Sequence, residues 1–475
     1  MLISNPSTTI AIVGAGFSGS LVAAHLLKTA KGPLLIKLID RDRDIGKGVA
    51  YSTTTNSHLL NVSAGKMSAF PDDPGHLLRW LHNNHRELAA FLPNDLNASS
   101  FIPRQIYGLY IQSILEEAEA TAASNVRLER VIDEVVAVEP QDKGAIVYLK
   151  NSGAFVADKI VLALGNIPAS PPGLPPCEDY PSYVRDAWSA DALAGVEPDA
   201  PVLLIGTGLT MVDMVVSLRD RNHQGKIYAV SRRGLSPLTH QSTTPYPSFL
   251  TPDTAPKTVL GLLRRIRSEV QTAAVQGYDW RSVIDSLRPI TQELWQQLPR
   301  IEQRRFLRHA TPYWDVHRHR IAPEIGEIVQ AMLDSGQLTI TAGRIQDYQV
   351  VSKAVAVSVC QRHTKANLVL QVSRVVNCTG VQVDYQRSLQ PLIANLRTQG
   401  LIRPNDIGLG LDTTADGAVL DAQGNRSSVF YTLGTPRKGN LWETIAVPEL
   451  REQTQALAAT WKLTSLLTTS QGQTN

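Results

Sequence analysis

The chain has 475 residues, a formal net charge of +3 and 43% hydrophobic residues. This length predicts about three domains, and the apolar fraction is sufficient for several hydrophobic cores. So small and evenly spread a charge argues against a nucleic-acid-binding protein. Because no apolar run reaches the roughly 18 residues of a membrane span, and the first apolar segment is a predicted strand, we expect no membrane span, no signal peptide and a cytoplasmic location.

The segment AIVGAGFSGS, residues 11–20, has the spacing of a dinucleotide-binding turn. Residues 8–13 read as a buried parallel strand and residues 18–30 as an amphipathic helix, which is the required context. Gly14 permits the tight turn, Gly16 lets the backbone approach a pyrophosphate, and Gly19 lets the helix pack close to the strand. The helix start, with Phe17 and Ser18, would face the phosphate.

A second predicted strand, residues 34–39, ends in Asp40 and Arg41. Asp40 comes about 20 residues after the last glycine, where a carboxylate can accept hydrogen bonds from the adenosine ribose hydroxyls. We therefore expect Asp40 and its neighbour Arg41 to contact the adenosine half of the cofactor.

A second turn of the same kind lies in VLLIGTGLTM, residues 202–211. Gly206 and Gly208 again allow a phosphate to approach, with Leu209 and Thr210 at the helix start. Met211 replaces the third glycine, so we expect this helix to stand slightly further from its strand.

The next predicted strand, residues 226–230, is followed by Ser231, Arg232 and Arg233 rather than by a carboxylate. Two guanidinium groups at this point suit a 2′-phosphate, because charge-assisted bidentate bonds to phosphate are strong. The pattern favours NADPH over NADH. The alternative is that one of the two arginines only caps a solvated strand end.

Two fingerprints in one chain predict two dinucleotides, a fixed FAD and a diffusible nicotinamide, with hydride transfer between them. The segments KIVLALGN and RVVNCTG each reach a glycine turn, at Gly165 and Gly380, where the chain would leave and re-enter its first domain. Both glycines are also candidate cofactor-binding residues. The predicted fold is α/β, with two Rossmann-like three-layer domains of mostly parallel strands and a helical insert. The expected parts are an FAD domain from residues 1–170 and 380–475, and an NAD(P) domain from residues 171–379 with its insert at about 240–330.

The insert contains the polar segment RRFLRHATPYWDVHRHR, residues 304–320. His317 and His319 diverge on a helix, so we expect no metal site. Two interpretations stay open: a contact with substrate or NADPH, and a structural salt-bridged helix pair.

The three cysteines, Cys177, Cys360 and Cys378, are far apart and form no CxxC pair. A disulfide-reductase mechanism is therefore not expected. Cys360 and Cys378 lie in apolar strands, where a buried thiol is the usual interpretation, whereas Cys177 lies in a proline-rich connector and could be exposed and redox-active.

Several segments together resemble the FAD/NAD(P)-binding proteins that include the FAD-dependent urate hydroxylase, and more distantly the flavin N-hydroxylating and Baeyer–Villiger monooxygenases. The resemblance spans nearly the whole chain. It is carried by GAGFSG, GKGVAYSTTTNSHLLNVSAGKMSAF, FIPRQIYGLY, GTGLTMVD with SRRG, WDVHRHR, and GNLWETIAVPELREQ.

The resemblance implies that residues 46–51 and 58–67 run along the flavin, with His58 among the contacts. Gly48 and Gly65 would let the backbone approach a flat ring, and Asn61 offers an amide that donates and accepts. Arg104, in FIPRQIYGLY, would lie near the flavin or substrate. Asn61 and Arg104 are thus the catalytic candidates, the alternative for Arg104 being an ion pair that orients its loop.

The last implied cofactor element is the loop bracketed by Gly434 and Gly439. A following helix start would place its positive end beside the flavin pyrimidine. The disulfide reductases usually have Gly-Asp at this strand end, whereas here Thr435 follows Gly434, which leaves open how the ribityl chain is held. Trp442, Glu443 and Thr444 are candidate site residues, although Trp442 also reads as a core aromatic.

The resulting prediction is an FAD-dependent, NADPH-using single-component monooxygenase that hydroxylates a small organic substrate with O₂ through a flavin hydroperoxide. One alternative is an NADPH-dependent flavin reductase or dehydrogenase that passes electrons to a partner. Another is a flavin-binding scaffold or sensor with weak turnover. The substrate and the oligomeric state are not readable from the residues.

Overall fold

The structure is a computed structural model that describes residues 8–168, 182–351 and 354–467. The chain forms two compact units. Unit 1 comprises Met1–Thr54, Ser63–Asn166 and Val383–Asn475, and unit 2 comprises Thr55–Val62 and Ile167–Gln382.

The strands of the described residues follow the chain from the first dinucleotide turn to the last cofactor loop. They are β1 Thr8–Val13, β2 Leu34–Asp40, β3 Val126–Ile132, β4 Val135–Pro140, β5 Ala145–Leu149, β6 Ala154–Ala157, β7 Lys159–Leu162, β8 Ile167–Pro168, β9 Tyr183–Val184, β10 Val202–Ile205, β11 Ile227–Ser231, β12 Leu338–Val351, β13 Ala354–Gln361, β14 Asn367–Val372, β15 Arg374–Asn377, β16 Val381–Gln382, β17 Ala418–Leu420 and β18 Arg426–Thr432.

The α-helices of the same residues are grouped mainly between β2 and β3, in the insert between β11 and β12, and at the carboxyl end. They are α1 Phe17–Thr29, α2 Gly48–Tyr51, α3 His76–Asn83, α4 His85–Leu88, α5 Arg104–Ala120, α6 Leu209–Asp220, α7 Val259–Val275, α8 Trp280–Ser286, α9 Thr291–Gln297, α10 Arg300–Arg305, α11 Thr311–Arg318, α12 Pro323–Asp334, α13 Pro391–Thr398, α14 Lys438–Leu441 and α15 Val447–Leu467.

Unit 1 is built on a six-stranded sheet in the order β17-β18-β7-β1-β2-β3. The strands from β18 to β3 are parallel, and only β17 is antiparallel to its neighbour. Strand β1 is hydrogen-bonded on both sides and its last four residues are buried, which explains its continuous apolar sequence. Helix α1 packs against α5 and α15, and a three-stranded antiparallel sheet, β4-β5-β6, belongs to the same unit.

Unit 2 repeats the arrangement with a seven-stranded sheet in the order β14-β13-β12-β11-β10-β15-β9. The strands from β12 to β9 are parallel, and β12, β13 and β14 form an antiparallel meander. Each unit therefore has the parallel strand–turn–helix core of a dinucleotide-binding fold.

The segment between β11 and β12 is helical, from α7 to α12, with a π-helical turn at Phe306–Ala310 between α10 and α11. Helix α7 is amphipathic and begins at Thr258, whose side chain accepts from Gly261 N. Tyr246, Ala273 and Val283 form one of the small apolar clusters that hold these helices together.

The predicted fold class, two Rossmann-like α/β domains with a helical insert, is confirmed. The main segment of unit 2 runs from Ile167 to Gln382, whereas the sequence predicted a second domain from residue 171 to residue 379. Residues 55–62, which we expected in the first domain, lie in unit 2. Cys177 is outside the described residues.

Candidate functional site

The turn after β1 is as tight as the glycine spacing predicts. Gly14 has φ of +104°, and a Cβ there would lie 2.1 Å from the carbonyl oxygen of Ala163. Gly14 N donates to Ile39 O at 2.8 Å, and Ala163 N donates to Val13 O at 2.9 Å. These bonds tie the carboxyl ends of β1, β2 and β7 together around the turn, and no side chain could replace the hydrogen of Gly14.

The two following glycines serve packing as well as ligand approach. A Cβ on Gly19 would lie 1.9 Å from Gly14 O, so Gly19 allows α1 to pack against the turn, as predicted. A Cβ on Gly16 would lie 3.2 Å from Gly48 Cα. Gly48 therefore provides a close backbone crossing with Gly16, whereas the resemblance had suggested an approach to the flavin ring. Gly16 is also the N-cap of α1, with no side chain capping the helix, so its first N–H groups remain available to an anion.

A cavity of about 280 Å³ opens above this turn, entirely within unit 1. Nine of the predicted cofactor-binding residues line it, which brings together turns from both sequence-distant parts of the unit. They are Gly14, Gly16, Phe17, Ser18, Asp40, Arg41, Gly48, Gly165 and Gly434. Gly19 lies behind them, against the strand.

Asp40 closes the first turn from the end of β2. Its Oδ2 accepts from Ala15 N at 2.7 Å and its Oδ1 accepts from Asp42 N at 3.2 Å. The carboxylate therefore fixes the backbone of the turn, and it also lines the cavity, where each oxygen has a further lone pair for a ribose hydroxyl.

Sequence reasoning missed Asn166, which lines the cavity, and it included Lys47 and Tyr51 only as members of the segment 46–51, without a role of their own. Lys47 Nζ lies 3.5 Å from Asp44 Oδ1. Burial raises the pKa of Tyr51, and the nearby Arg104 charge lowers it by less. Lys47 and Tyr51 lie in the GKGVAY segment that carries the family resemblance, so the signal was present but not resolved to these residues.

Arg104, a predicted catalytic residue, is the first residue of α5 and is only 7% exposed. It is absent from the cavity lining, although its charge acts on Tyr51, which does line it. Tyr107 and Tyr110 of the same helix are fully buried. Arg104 therefore lies outside the cavity lining, close enough to Tyr51 for its charge to act on that residue.

His58 and Asn61 belong to unit 2 and do not line the cavity of unit 1, so their contact with the flavin stays a prediction. His58 is 3% exposed, and its Nε2 lies 3.0 Å from Asp213 O and 2.9 Å from Ser217 Oγ, on α6. The carbonyl of Asn61 lies 2.9 Å from His240 Nε2. A polar sequence near a flavin motif did not reveal that this segment is hydrogen-bonded to residues of unit 2.

Gly65 also differs from its expected role. Its N–H donates to Ala98 O at 2.9 Å, and a Cβ there would lie 2.8 Å from the Ala98 side chain. Gly65 therefore packs against a neighbouring loop instead of lining the cavity.

The loop after β18 reaches the cavity through Gly434, which has φ of +70°. Gly434 N donates to Gln453 Oε1 at 3.1 Å, and Thr444 Oγ1 donates to Gly434 O at 3.2 Å. Gln453 Nε2 in turn donates to Thr444 Oγ1 at 2.9 Å. The start of α15 thus holds this loop in place.

The predicted lining residues Trp442, Glu443 and Thr444 do not line the cavity. Trp442 is 6% exposed, with Lys438 Nζ 5.0 Å from its ring centroid, and it has the strained φ of +61°. It is a core aromatic, which was the alternative interpretation of its sequence. Thr444 is fully buried and donates a hydrogen bond to the carbonyl of Gly434. Its neighbour Ile445 lines the cavity.

Unit 2 repeats the first turn almost bond for bond. Gly206 has φ of +107°, and a Cβ there would lie 2.5 Å from Cys378 O. Gly206 N donates to Val230 O and Cys378 N donates to Ile205 O, both at 2.8 Å. Three strand ends are again tied together, so the variant sequence forms the same turn as the full fingerprint.

The ligand side of this second turn is open. A Cβ on Gly208, the N-cap of α6, or on Gly380, with φ of +96°, would meet nothing within 4 Å among the described residues. Leu209 and Thr210 are the first residues of α6, as predicted, and Met211 is fully buried behind them. Backbone N–H groups at this helix start are free of a side-chain cap.

The two arginines after β11 have different environments. Arg233 NH1 donates to Tyr313 Oη at 3.1 Å and NH2 to His309 O at 3.2 Å, so Arg233 braces the helical insert. Arg232 is exposed, and its carbonyl accepts from Arg362 NH1 at 3.2 Å. Sequence reasoning missed Arg362, because it lies 130 residues away, in the turn between β13 and β14.

The WDVHRHR segment forms the end of α11 and its exit. Arg320 is 3% exposed and forms an ion pair with Asp285 on α8, and His319 Nδ1 lies 3.6 Å from Asp315. Trp280 lies edge-on to His317 at 4.9 Å. These contacts favour the structural helix pair. No group of three metal-ligating side chains occurs among the described residues.

Burial raises the pKa of the Cys378 thiol strongly, and Asp213 adds to the effect. Cys360 is partly buried, and both cysteines are free thiols. Neither has a thiol partner within the described part of the chain.

The residues that the structure describes contain no helix long and apolar enough to cross a membrane.

Residues 11–167 match the model of the protein family described as FAD-NAD(P)-binding. This part of the chain, about a third of its length, is similar to that family. The match begins within β1 and ends just beyond the Gly165 turn, so it covers most of the residues that line the cavity.

One sequence relative is similar to about half of the chain. L-aspartate N-monooxygenase (nitrosuccinate-forming) of Streptomyces cremeus is 30% identical over 281 residues, which cover 48% of this chain and 42% of that protein. The alignment thus spans less than half of the curated relative.

Solved structures resemble the whole fold. The ornithine N-hydroxylase of Kutzneria sp. 744 has a TM-score of 0.66 at 15% identity, over 97% of this chain and 100% of that one. L-lysine 6-monooxygenase of Pseudomonas syringae has a TM-score of 0.64 at 16% identity, over 96% and 99%. At this identity the likeness shows the fold.

Proposed function

We propose that the protein is an FAD-dependent, NADPH-using monooxygenase that oxygenates a small organic substrate. The observation that carries this proposal is the pair of equivalent dinucleotide turns, at Gly14 in unit 1 and Gly206 in unit 2. A chain with one such turn would bind one dinucleotide, whereas two turns suit a flavin and its nicotinamide reductant.

The residues around the first turn fit FAD. Gly16 and Gly48 leave room only for backbone, the start of α1 offers N–H groups to a pyrophosphate, and Asp40 can receive ribose hydroxyls. Arg41 and Lys47 add positive charge to the lining. FAD bound here would accept a hydride from NADPH and pass its electrons to O₂ and the substrate, while the protein supplies binding, orientation and exclusion of water.

The residues around the second turn fit NADPH. Gly208 leaves space for a pyrophosphate at the start of α6. Arg232 and Arg362 lie together beyond the end of β11, where a dinucleotide's adenosine ribose lies in this fold. We assign the 2′-phosphate to these two arginines rather than to Arg232 and Arg233, because Arg233 is already bonded to the insert.

A primary amine is the substrate class to test first. The Streptomyces cremeus relative is named for N-oxygenation of L-aspartate, and the two structural relatives are named for hydroxylation of ornithine and lysine. Oxygenation of an amine nitrogen needs no nucleophile–base triad in the protein. The chain's own residues would hold the amine, keep it unprotonated and exclude water.

The competing function is an NADPH-dependent flavin reductase or oxidase. The disulfide-reductase version of it has little support, because Cys360 and Cys378 are free and the Cys378 thiol is held protonated by burial. A simple reductase would transfer electrons without placing oxygen in a product.

The deciding experiment measures coupling. Purified protein loaded with FAD is given NADPH, ¹⁸O₂ and a panel of amino acids, diamines, purines and ketones, and NADPH consumption, H₂O₂ and labelled product are followed together. A stimulating substrate should incorporate one labelled oxygen for each NADPH consumed. If all NADPH ends as H₂O₂ with every substrate, the reductase or oxidase function replaces this proposal.

A further inference from the structure

Two polar side chains meet at the cavity wall on the flavin side of the first turn. Thr435 Oγ1 donates to Asn166 Oδ1 at 2.9 Å, and both residues line the cavity. Asn166 follows β7 and Thr435 follows β18, which are neighbouring parallel strands. Thr435 is 6% exposed, whereas Asn166 is exposed.

The strand order indicates which half of the cofactor passes these residues. Strand β2, with Asp40, lies on one side of β1, and β7 and β18 lie on the other. Neighbouring strands are about 4.8 Å apart, so the ends of β7 and β18 lie about 5 and 10 Å from the end of β1. With the pyrophosphate over the Gly14 turn and the adenosine at Asp40, the flavin half must cross β7 and β18.

The hydrogen bonds leave a side-chain donor available to contact it. The N–H of Gly434 is bonded to Gln453, and its carbonyl accepts from Thr444. The Oδ1 of Asn166 accepts from Thr435. The remaining polar atom of this pair is Asn166 Nδ2, whose two N–H donors have no acceptor among the residues that the structure describes.

We propose that Asn166 donates from Nδ2 to an oxygen atom in the flavin half of FAD, and that Thr435 is the positioning residue that fixes the orientation of the Asn166 amide. This inference rests on the proposed binding of FAD in unit 1. The contact would come from a neutral amide donor, which suits an oxygen acceptor such as a phosphate or hydroxyl oxygen.

The test is a titration of apoprotein with FAD, followed by flavin fluorescence. Asn166→Ala should weaken FAD binding about tenfold, the effect expected for one lost hydrogen bond to a phosphate or hydroxyl oxygen. Asn166→Asp identifies the oxygen atom. It should bind more weakly than Asn166→Ala if the partner is a phosphate oxygen, and close to wild type if a ribityl hydroxyl can donate to it.

A double-mutant cycle tests the positioning role. Thr435→Val should weaken binding several-fold in the wild-type background and have no effect in Asn166→Ala, because the amide it orients is then gone. Thr435→Ser retains the hydroxyl and should restore wild-type affinity. Thr454→Val is the matched control, since Thr454 is a buried threonine that bonds Arg451 O and does not line the cavity.

Far-UV circular dichroism and the thermal transition of each apoprotein establish that the variants fold. Unchanged affinity in folded Asn166→Ala overturns the contact. An equal loss for Thr435→Val in both backgrounds overturns the positioning role. If wild-type apoprotein binds FAD and the variants bind it equally well, only this inference fails, whereas a wild type that binds no FAD overturns the proposed function as well.

Discussion

Gly16 and Gly48 approach each other so closely that a Cβ on either residue would lie 3.1–3.2 Å from the Cα of the other. The crossing joins the start of α1 to the start of α2, and both residues line the cavity. Because neither residue has a side chain at this crossing, the adjoining cavity keeps room for a pyrophosphate. A side chain on either glycine would narrow that room.

Gly16→Val should therefore produce folded protein that has lost most of its flavin. The measurement is the ratio of flavin to protein absorbance after purification, with circular dichroism to establish folding. Gly32→Val is the control, because a Cβ on Gly32 meets nothing within 4 Å among the described residues. Full flavin occupancy in Gly16→Val would contradict the assignment of the FAD site to this turn. Release of FMN and not FAD from the wild-type protein would contradict the role of Asp40 at the adenosine ribose.

Nicotinamide preference should separate the three arginines near β11. Arg232→Ala and Arg362→Ala each remove a charged donor, which is worth about 1.5–3 kcal/mol, so NADPH should bind at least about tenfold more weakly while NADH changes little. Arg233→Ala should affect both nucleotides alike, because Arg233 bonds Tyr313 and His309 in the insert. Stopped-flow flavin reduction with NADPH and with NADH measures how far each variant discriminates between the two nucleotides. If only Arg233→Ala loses affinity for NADPH selectively, Arg233 and not Arg232 or Arg362 contacts the 2′-phosphate.

The ion pair between Arg320 and Asp285 should contribute strongly to the stability of the insert. The Arg320 side chain is 2% exposed, and burial lowers its pKa, while Asp285 raises it. Asp285→Asn leaves this charge without its carboxylate partner. Because the Asp285 side chain is 39% exposed, we expect a loss of about 2 kcal/mol in the free energy of unfolding, less than the roughly 3–5 kcal/mol of a fully buried pair. Asp315→Asn, which breaks the more exposed pair with His319, should cost less than about 1 kcal/mol.

Thermal or urea unfolding of the two variants provides this comparison. Equal losses for Asp285→Asn and Asp315→Asn would show that Arg320 finds another partner when Asp285 is removed.

His25 should make stability depend on pH. Burial lowers the pKa of His25 to about 4, and the charge of Lys28 contributes in the same direction. The folded state therefore binds fewer protons than the unfolded state, so His25 stabilises the fold above its unfolded pKa of about 6.5 and loses that effect as the pH falls towards 4. The expected slope is up to about 1.4 kcal/mol per pH unit from this group.

The measurement is the free energy of unfolding between pH 7 and pH 4 for wild type and His25→Asn. The variant should lose this part of the slope, and the exposed His82→Asn should keep it. An unchanged slope in His25→Asn would assign the acid sensitivity to other groups.

Local sequence was sufficient for the parts of the molecule whose physics is local. A turn that needs positive φ accepts glycine and little else, so Gly14 and Gly206 revealed both dinucleotide turns, including the variant that carries Met211. Buried parallel strands read as apolar runs, and amphipathic periodicity revealed helices of the insert. The helix α1 was found from its place after the glycine turn, but it is buried on nearly all sides and is not the amphipathic helix that the sequence predicted. The α/β class and the discontinuous first domain could be inferred from these elements alone.

Only the tertiary structure decided which side chains share a site, because that depends on contacts between residues far apart in sequence. His58 and Asn61 sit next to flavin motifs in the chain but are held in unit 2 by Ser217 and His240. Arg362 reaches Arg232 across 130 residues, and Thr435 reaches Asn166 across 269. Periodicity and turn chemistry describe the neighbourhood of one residue along the chain, whereas these pairs are created by strand order, in which β7 meets β18 and β11 meets β12.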